Sequence, residues 1–182
     1  MGEPVALLVV CTGNTCRSVM ARVMLEHTAA RRGISLRVAT AGTHTVDGVP
    51  IGARTLAALR TVEGLAPVLR DPIAAGAHRS RQLAARDLGG AELVVAMESA
   101  HVGYVRRHHR DAAPRTGTLR ALVRDLAPGA TPLPVRVAAL GLDRAALDPA
   151  DDVADPAGHD DAVYAACAAE LWTLCGALVS RL

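Results

Sequence analysis

Val5-Ala6-Leu7-Leu8-Val9-Val10 is an unbroken apolar run, too short for a core helix and closed by a turn. A run without polar alternation suits a strand covered on both faces, as in a parallel sheet. The turn is Cys11 to Ser18 and contains Gly13. Beyond it Met20, Val23, Met24 and His27 recur at helical spacing, and Gly33 closes the segment. Arg37 to Ala41 reads as a second strand and Gly52 to Arg60 as a helix with Leu56 and Leu59 inward. A further helix is expected over Ser80 to Asp87. Glu92 to Met97 reads as a third strand, with Ser99 capping a helix that continues through Arg107. Strands alternating with helices predict an α/β fold with a doubly wound parallel sheet.

Residues 111 to 154 are punctuated by Pro114, Pro128, Pro132, Pro134 and Pro149, so loops, short helices and one strand are expected there. The stretch exceeds what a minimal domain of this kind requires, and 128–149 is a candidate for shaping or covering a cleft. Periodicity returns with Val163, Cys167, Leu171, Leu174 and Leu178, one apolar stripe of a terminal helix. Without repeats or low-complexity linkers, 182 residues read as one domain, 1–182.

No unbroken apolar run approaches the ~20 residues that cross a bilayer, and the N-terminus lacks a basic n-region with a cleavage site. The reading is a cytoplasmic protein with no membrane partner. A net charge of +2, carried by arginine without any lysine, is too small to argue for nucleic acid. The cysteines Cys11, Cys16, Cys167 and Cys175 are too few for a disulfide scaffold, and their spacings match no usual zinc pattern. Packing or reactivity remains.

Chemistry concentrates in Cys11-Thr12-Gly13-Asn14-Thr15-Cys16-Arg17-Ser18, placed between a buried strand and an amphipathic helix. Backbone N–H groups of such a turn can converge on an anion, and the helix adds its positive end. Gly13 and Asn14 suit tight or left-handed backbone. Arg17 offers a planar fork for two phosphate oxygens. Cys11 lies at the mouth of the same positive field, which favours a thiolate, and Ser18 is placed to donate to that sulfur. A thiolate beside a cradled phosphoryl group is set for in-line attack.

The string Cys-x-Gly-Asn-x-Cys-Arg-Ser after an N-terminal strand resembles the phosphate loop of the low-molecular-weight protein-tyrosine phosphatases. The likeness extends to Ala39-Thr40-Ala41-Gly42-Thr43, to His78-Arg79-Ser80-Arg81-Gln82-Leu83, to the strand ending at Met97, and to Asp155-Pro156 ahead of Val163-Tyr164. It implies a three-layer α/β/α domain with a central, mostly parallel four-stranded sheet. It also implies a cysteine-dependent phosphatase needing no metal or organic cofactor.

Cys11 would be the nucleophile, Arg17 and the loop Thr12, Gly13, Asn14, Thr15, Cys16 and Ser18 the phosphate site, and Asp155 the general acid. Asp148, Asp151, Asp152, Asp160, Asp161 and Asp71 compete for that last role, but Asp155 stands just before the final helix. His78 matches the family histidine that bonds to the loop asparagine. Thr40 matches a family serine, and an ordinary strand-end role is equally compatible with it.

Cys16 matches a neighbour that can form a reversible disulfide with the nucleophile; plain packing is the alternative. Cys167 and Cys175 raise a relay like that of arsenate reductases, against core packing. Val19 replaces the usual proline and Arg22 a usual acid.

Aromatics make up only 2% of the chain, with no Phe. Ala157-Gly158 and Thr45-Val46-Asp47 stand where the family has aromatic cleft walls, and Tyr104, Tyr164 and Trp172 fall on helices. Stacking on phosphotyrosine is therefore expected to be weak. Thr12 resembles the choice of the protein-arginine phosphatases. The substrates to weigh are phosphotyrosine protein, phosphoarginine and a small phosphorylated metabolite, with a non-catalytic phosphate-binding module as the reading of another class.

Overall fold

Strand β1 (Val5–Cys11) is the axis of the molecule. It pairs in parallel with β2 (Leu36–Gly42) on one side and β3 (Leu93–Ala96) on the other, and β3 pairs with β4 (Thr116–Thr118). The four-stranded sheet has the order β2-β1-β3-β4. This computed structural model describes residues 3–65 and 77–182; Asp71-Pro72 falls outside the described residues.

The continuous apolar runs do what burial on both faces demands. Leu7, Val9, Leu93 and Val95 point into one core, while Leu8, Val10, Val94 and Ala96 point into another. The first core is closed by α1 (Arg17–Arg31), α2 (Ala53–Thr61), α5 (Leu119–Asp125) and α7 (Asp161–Val179). The second is closed by the short α3 (Ala85–Leu88) and by α4 (Ser99–His108). Three layers result, and the C-terminal ends of the strands meet the turn that opens at Cys11.

Three sequence expectations need correction. Residues 80–84 are not helical, and the helix there is the single turn α3. The reason is competition for backbone donors. Arg81 N–H goes to Asn14 Oδ1, Gln82 N–H to Asp47 Oδ1, and Leu83 N–H to the Gly42 carbonyl. Gln82 and Arg79 form isolated bridges to Gly42 and Pro50. Ser99 does not cap α4 but begins it; its N–H and hydroxyl both bond the Asp152 carboxylate. On α7, Val163 is 37% exposed, and Ala168, Cys175 and Val179 join Cys167, Leu171 and Leu178 inside. That helix is apolar nearly all round, so its sequence leaves the buried face ambiguous. By length and composition it could cross a membrane, but its inner face packs on α1, α2 and α5.

The proline-rich segment folds as α6 (Leu133–Ala138), loops and the 3₁₀ turn Pro149–Asp151. Leu133, Val137 and Leu142 join the first core, and Arg136 bonds the carbonyls of Arg181 and Leu182. The segment is a packed part of the wall behind β4.

Gly42 ends β2 where two loops meet. A Cβ there would lie 2.6 Å from the Thr12 carbonyl oxygen, a backbone atom, and 2.8 Å from Thr45 Cγ2, so the backbone or the Thr45 side chain must shift. Gly42→Ala is expected to destabilise the fold by about 1–3 kcal/mol through this overpacking. Urea unfolding measures it; an unchanged midpoint would show that the two loops are not locked together.

Candidate active site

The turn from Cys11 to Cys16 is shaped by where its carbonyls go. The Cys11 carbonyl accepts from Thr43 N–H at 2.9 Å and that of Thr12 from His44 N–H at 3.1 Å. Gly13 C=O accepts from the Thr45 hydroxyl at 2.9 Å, and Thr15 C=O from the Thr55 hydroxyl at 3.2 Å. Asn14 C=O lies 2.7 Å from His78 Nε2, which must carry the proton because a carbonyl only accepts. In a trans peptide the N–H opposes the C=O. With those carbonyls turned outward, the amides of Gly13 to Cys16 face inward as an anion cradle.

Asn14 makes the inversion possible. Its φ is 51°, a left-handed conformation that asparagine tolerates better than most residues. Its side chain is fully buried and bonds twice, accepting from Arg81 N–H and donating to Ser18 Oγ at 3.0 Å. Ser18 Oγ is also 3.1 Å from Cys11 Sγ. The chain from Arg81 through Asn14 and Ser18 thus ends on the sulfur.

Arg17 opens α1 and is 1% exposed. A buried guanidinium must be matched. Nη1 pairs with Glu98 and donates to the Val153 carbonyl at 2.8 Å. Nη2 reaches Asp155 Oδ2 at 2.5 Å and Thr12 Oγ1 at 3.4 Å. Burial opposes its charge, yet Glu98 first and then Asp155 raise its pKa above the ordinary value. The cation is permanent.

These groups line one cleft of about 330 Å³, with Cys11, Thr12, Gly13, Thr15, Cys16, Arg17 and Asp155 on its surface. Asn14, Ser18 and His78 lie behind it, all buried. Thr40 is also buried; its carbonyl accepts from Arg81 Nε at 2.9 Å, a loop-supporting contact through backbone. The competing acids are accounted for elsewhere. Asp148 and Asp160 cap short turns and α7, Asp151 pairs with Arg124, Asp152 holds Ser99, and Asp161 pairs with Arg54. None of residues 128–149 lines the cleft.

Tyr164 corrects the sequence reading, because this α7 residue does reach the cleft. The other walls are small: Val49, Pro50, Gly52 and Ala157. Tyr104 instead packs edge-on to His44 and tilted against His108 and His109, outside it.

All four cysteines are free and buried. Burial first, with Cys11 adding a lesser push, raises the Cys16 thiol to about 11, and burial raises that of Cys167 to about 12. Burial alone raises Cys175 further. Cys175 Sγ packs 3.8 Å from the Ala21 carbonyl and Cys167 Sγ 3.8 Å from that of Ala154. These positions fit core packing rather than a relay.

Glu98 and His101 are contributions that the sequence reading missed. Both follow β3 one helical turn apart, the only signal available. The His101 ring is buried, and its Nδ1 accepts from Glu98 N–H at 3.1 Å.

A low molecular weight phosphotyrosine protein phosphatase model matches residues 6–130. A protein-arginine-phosphatase of Geobacillus stearothermophilus is 30% identical over 98% of this chain and 97% of its own. The low molecular weight protein-tyrosine phosphatase A of Mycobacterium tuberculosis is 33% identical over 65% of this chain and 73% of its own. Among solved structures, a low molecular weight protein tyrosine phosphatase from T. tengcongensis superposes with a TM-score of 0.75 at 28% identity, covering 98% of this chain and 99% of that one. A parallel α/β sheet carrying an anion cradle around a thiol therefore defines a cysteine-dependent phosphatase. The chain belongs to the low molecular weight phosphotyrosine protein phosphatase family.

Burial chiefly lowers His101 from 6.5 to about 4, with Glu98 pulling upward and Arg17 downward. As pH falls below the ordinary value, the unfolded chain takes up this proton before the folded one does. The unfolded state then binds more protons, and stability is lost between about pH 6.5 and 4. His78, lowered in the same way by burial, adds to the slope. In urea titrations the wild type is expected to lose stability more steeply across this window than His101→Gln; identical slopes would remove His101 from the account.

Proposed function

We propose that this chain is a single-domain, cytoplasmic phosphoprotein phosphatase that works through a phosphocysteine on Cys11, with Arg17 as phosphate clamp and Asp155 as general acid. One observation carries the reading: the Cys11 sulfur, the inward amides, Arg17 and Asp155 converge on one cleft. Four free thiols fit a reducing compartment.

The chemistry follows from the placement. The substrate's phosphoryl oxygens take the amides of Gly13 to Cys16 and the Arg17 fork. Asp155 Oδ2 now holds that fork, so a bound phosphoryl group competes for it and frees the carboxyl to turn toward the leaving group. Cys11 Sγ forms the S–P bond as the P–O bond breaks, and Asp155 gives its proton to the departing oxygen. Water then loses a proton to the Asp155 carboxylate and attacks phosphorus, and the S–P electron pair returns to sulfur. Ser18 Oγ stands ready to donate to that thiolate.

Phosphotyrosine is the first substrate class, supported by family membership and by Tyr164 on the cleft wall. Phosphoarginine is a second reading, in which the bond broken is P–N. It is supported by the small remaining walls and by the near-complete overlap with a relative named as a protein-arginine-phosphatase.

A panel of aryl phosphate, phosphotyrosine peptide, phosphoarginine and alkyl phosphates, assayed without added metal, tests the scheme. Cys11→Ser is expected to abolish turnover. Asp155→Asn should cost about 10²–10⁴-fold on poor leaving groups and much less on the aryl phosphate. Folded wild type inert even on the aryl phosphate would leave a phosphate-binding module as the reading.

A further inference from the structure

Thr12 follows the nucleophile, is half-buried and lines the cleft. Two groups that touch its hydroxyl fix what that hydroxyl does. His101 Nε2 lies 3.0 Å from Thr12 Oγ1. The tautomer is settled on the other side of the ring, where Nδ1 receives the Glu98 N–H at 3.1 Å. A backbone amide can only donate, so Nδ1 is the acceptor. Burial keeps the ring neutral, with a pKa of about 4, so its single proton sits on Nε2 and is donated to Thr12. Arg17 Nη2 donates to the same oxygen at 3.4 Å. A hydroxyl has two lone pairs and one hydrogen. Both lone pairs are thus taken, one by the buried His101 and one by Arg17, and the hydroxyl hydrogen is left for an acceptor in the cleft that Thr12 lines.

We propose that His101 is a positioning residue for phosphate recognition, holding Thr12 so that its hydroxyl hydrogen is presented to the cleft as a side-chain donor to a phosphoryl oxygen. The inference rests on the phosphatase reading and deepens it. It adds a donor to the backbone cradle, and it ties that donor to the Glu98 turn that also grips Arg17. The buried charge and the added hydroxyl are thereby oriented by the same turn of α4.

The test uses inorganic phosphate as a competitive inhibitor of aryl phosphate hydrolysis. Thr12→Val should raise the inhibition constant by about tenfold, the scale of a lost bond to a charged acceptor. The two amides separate positioning from architecture. His101→Asn keeps an acceptor where Nδ1 caps the Glu98 amide but cannot reach Thr12, so it should weaken phosphate nearly as much as Thr12→Val. His101→Gln places an N–H near the Nε2 position and should restore most of the affinity. Thr12→Val combined with His101→Asn should be no weaker than Thr12→Val alone.

Wild-type affinity in His101→Asn, or losses that multiply in the double variant, would overturn the proposal. If His101→Asn does not fold, Thr12→Val must still lose affinity while His101→Gln keeps it; any other pattern overturns it too. These results are read against wild-type turnover of the aryl phosphate, whose absence would instead strike the phosphatase reading itself.

Discussion

The outward rotation of the peptide carbonyls between β1 and α1 is the constraint on which the rest of the site depends. A free turn has no reason to aim consecutive amides at one point, because their dipoles oppose each other there. Here the carbonyls are drawn away by donors from three separate places: the stretch after β2, the start of α2, and His78. The sheet makes those places adjacent. β1 and β2 run in register from Val5↔Leu36 to Cys11↔Gly42, so the residues after both strands emerge side by side. A one-residue slip would carry the Thr43 and His44 amides and the Thr45 hydroxyl out of step with the turn. The cradle is thus a consequence of sheet register and not of the turn's own sequence alone.

The second constraint is the buried charge of Arg17. An isolated guanidinium in this position would be prohibitive. Glu98 and Asp155 oppose it from either side, while the Val153 carbonyl fills a further direction. The two carboxylates differ in exposure, 24% for Glu98 and 37% for Asp155. Glu98 is held by the start of α4, whereas Asp155 belongs to a loop at the cleft mouth. One partner is suited to stay and the other to be exchanged for substrate. In the proposed scheme the same cation serves the stability of the free protein and the recognition of phosphate.

Much of this was legible in the sequence where local rules and tertiary needs agree. The run Val5 to Val10 announced a strand buried on both sides, and Gly13 and Asn14 announced the tight turn in which Asn14 is left-handed. His78 was found by resemblance and does reach Asn14. The misreadings have physical causes. The stretch from Ser80 to Asp87 has helical composition, but its amides are claimed by Asn14, Asp47 and Gly42, all distant in sequence. Tyr164 was set aside because it falls on a helix, yet the first turn of α7 passes beside the cleft. Glu98 and His101 carry no motif of their own. Their meaning arises only when β3 is laid against β1, which brings the first turn of α4 up to Arg17 and Thr12.

The central claim is that phosphorus becomes covalently attached to the Cys11 sulfur. The most direct measurement is to mix Asp155→Asn with aryl phosphate, quench within the first turnover, and locate the adduct by peptide mass spectrometry under conditions that preserve thiophosphates. The account predicts one phosphoryl group, added at Cys11 and discharged on longer incubation. Phosphoryl groups found on another residue, or turnover with no covalent species at Cys11, would contradict it.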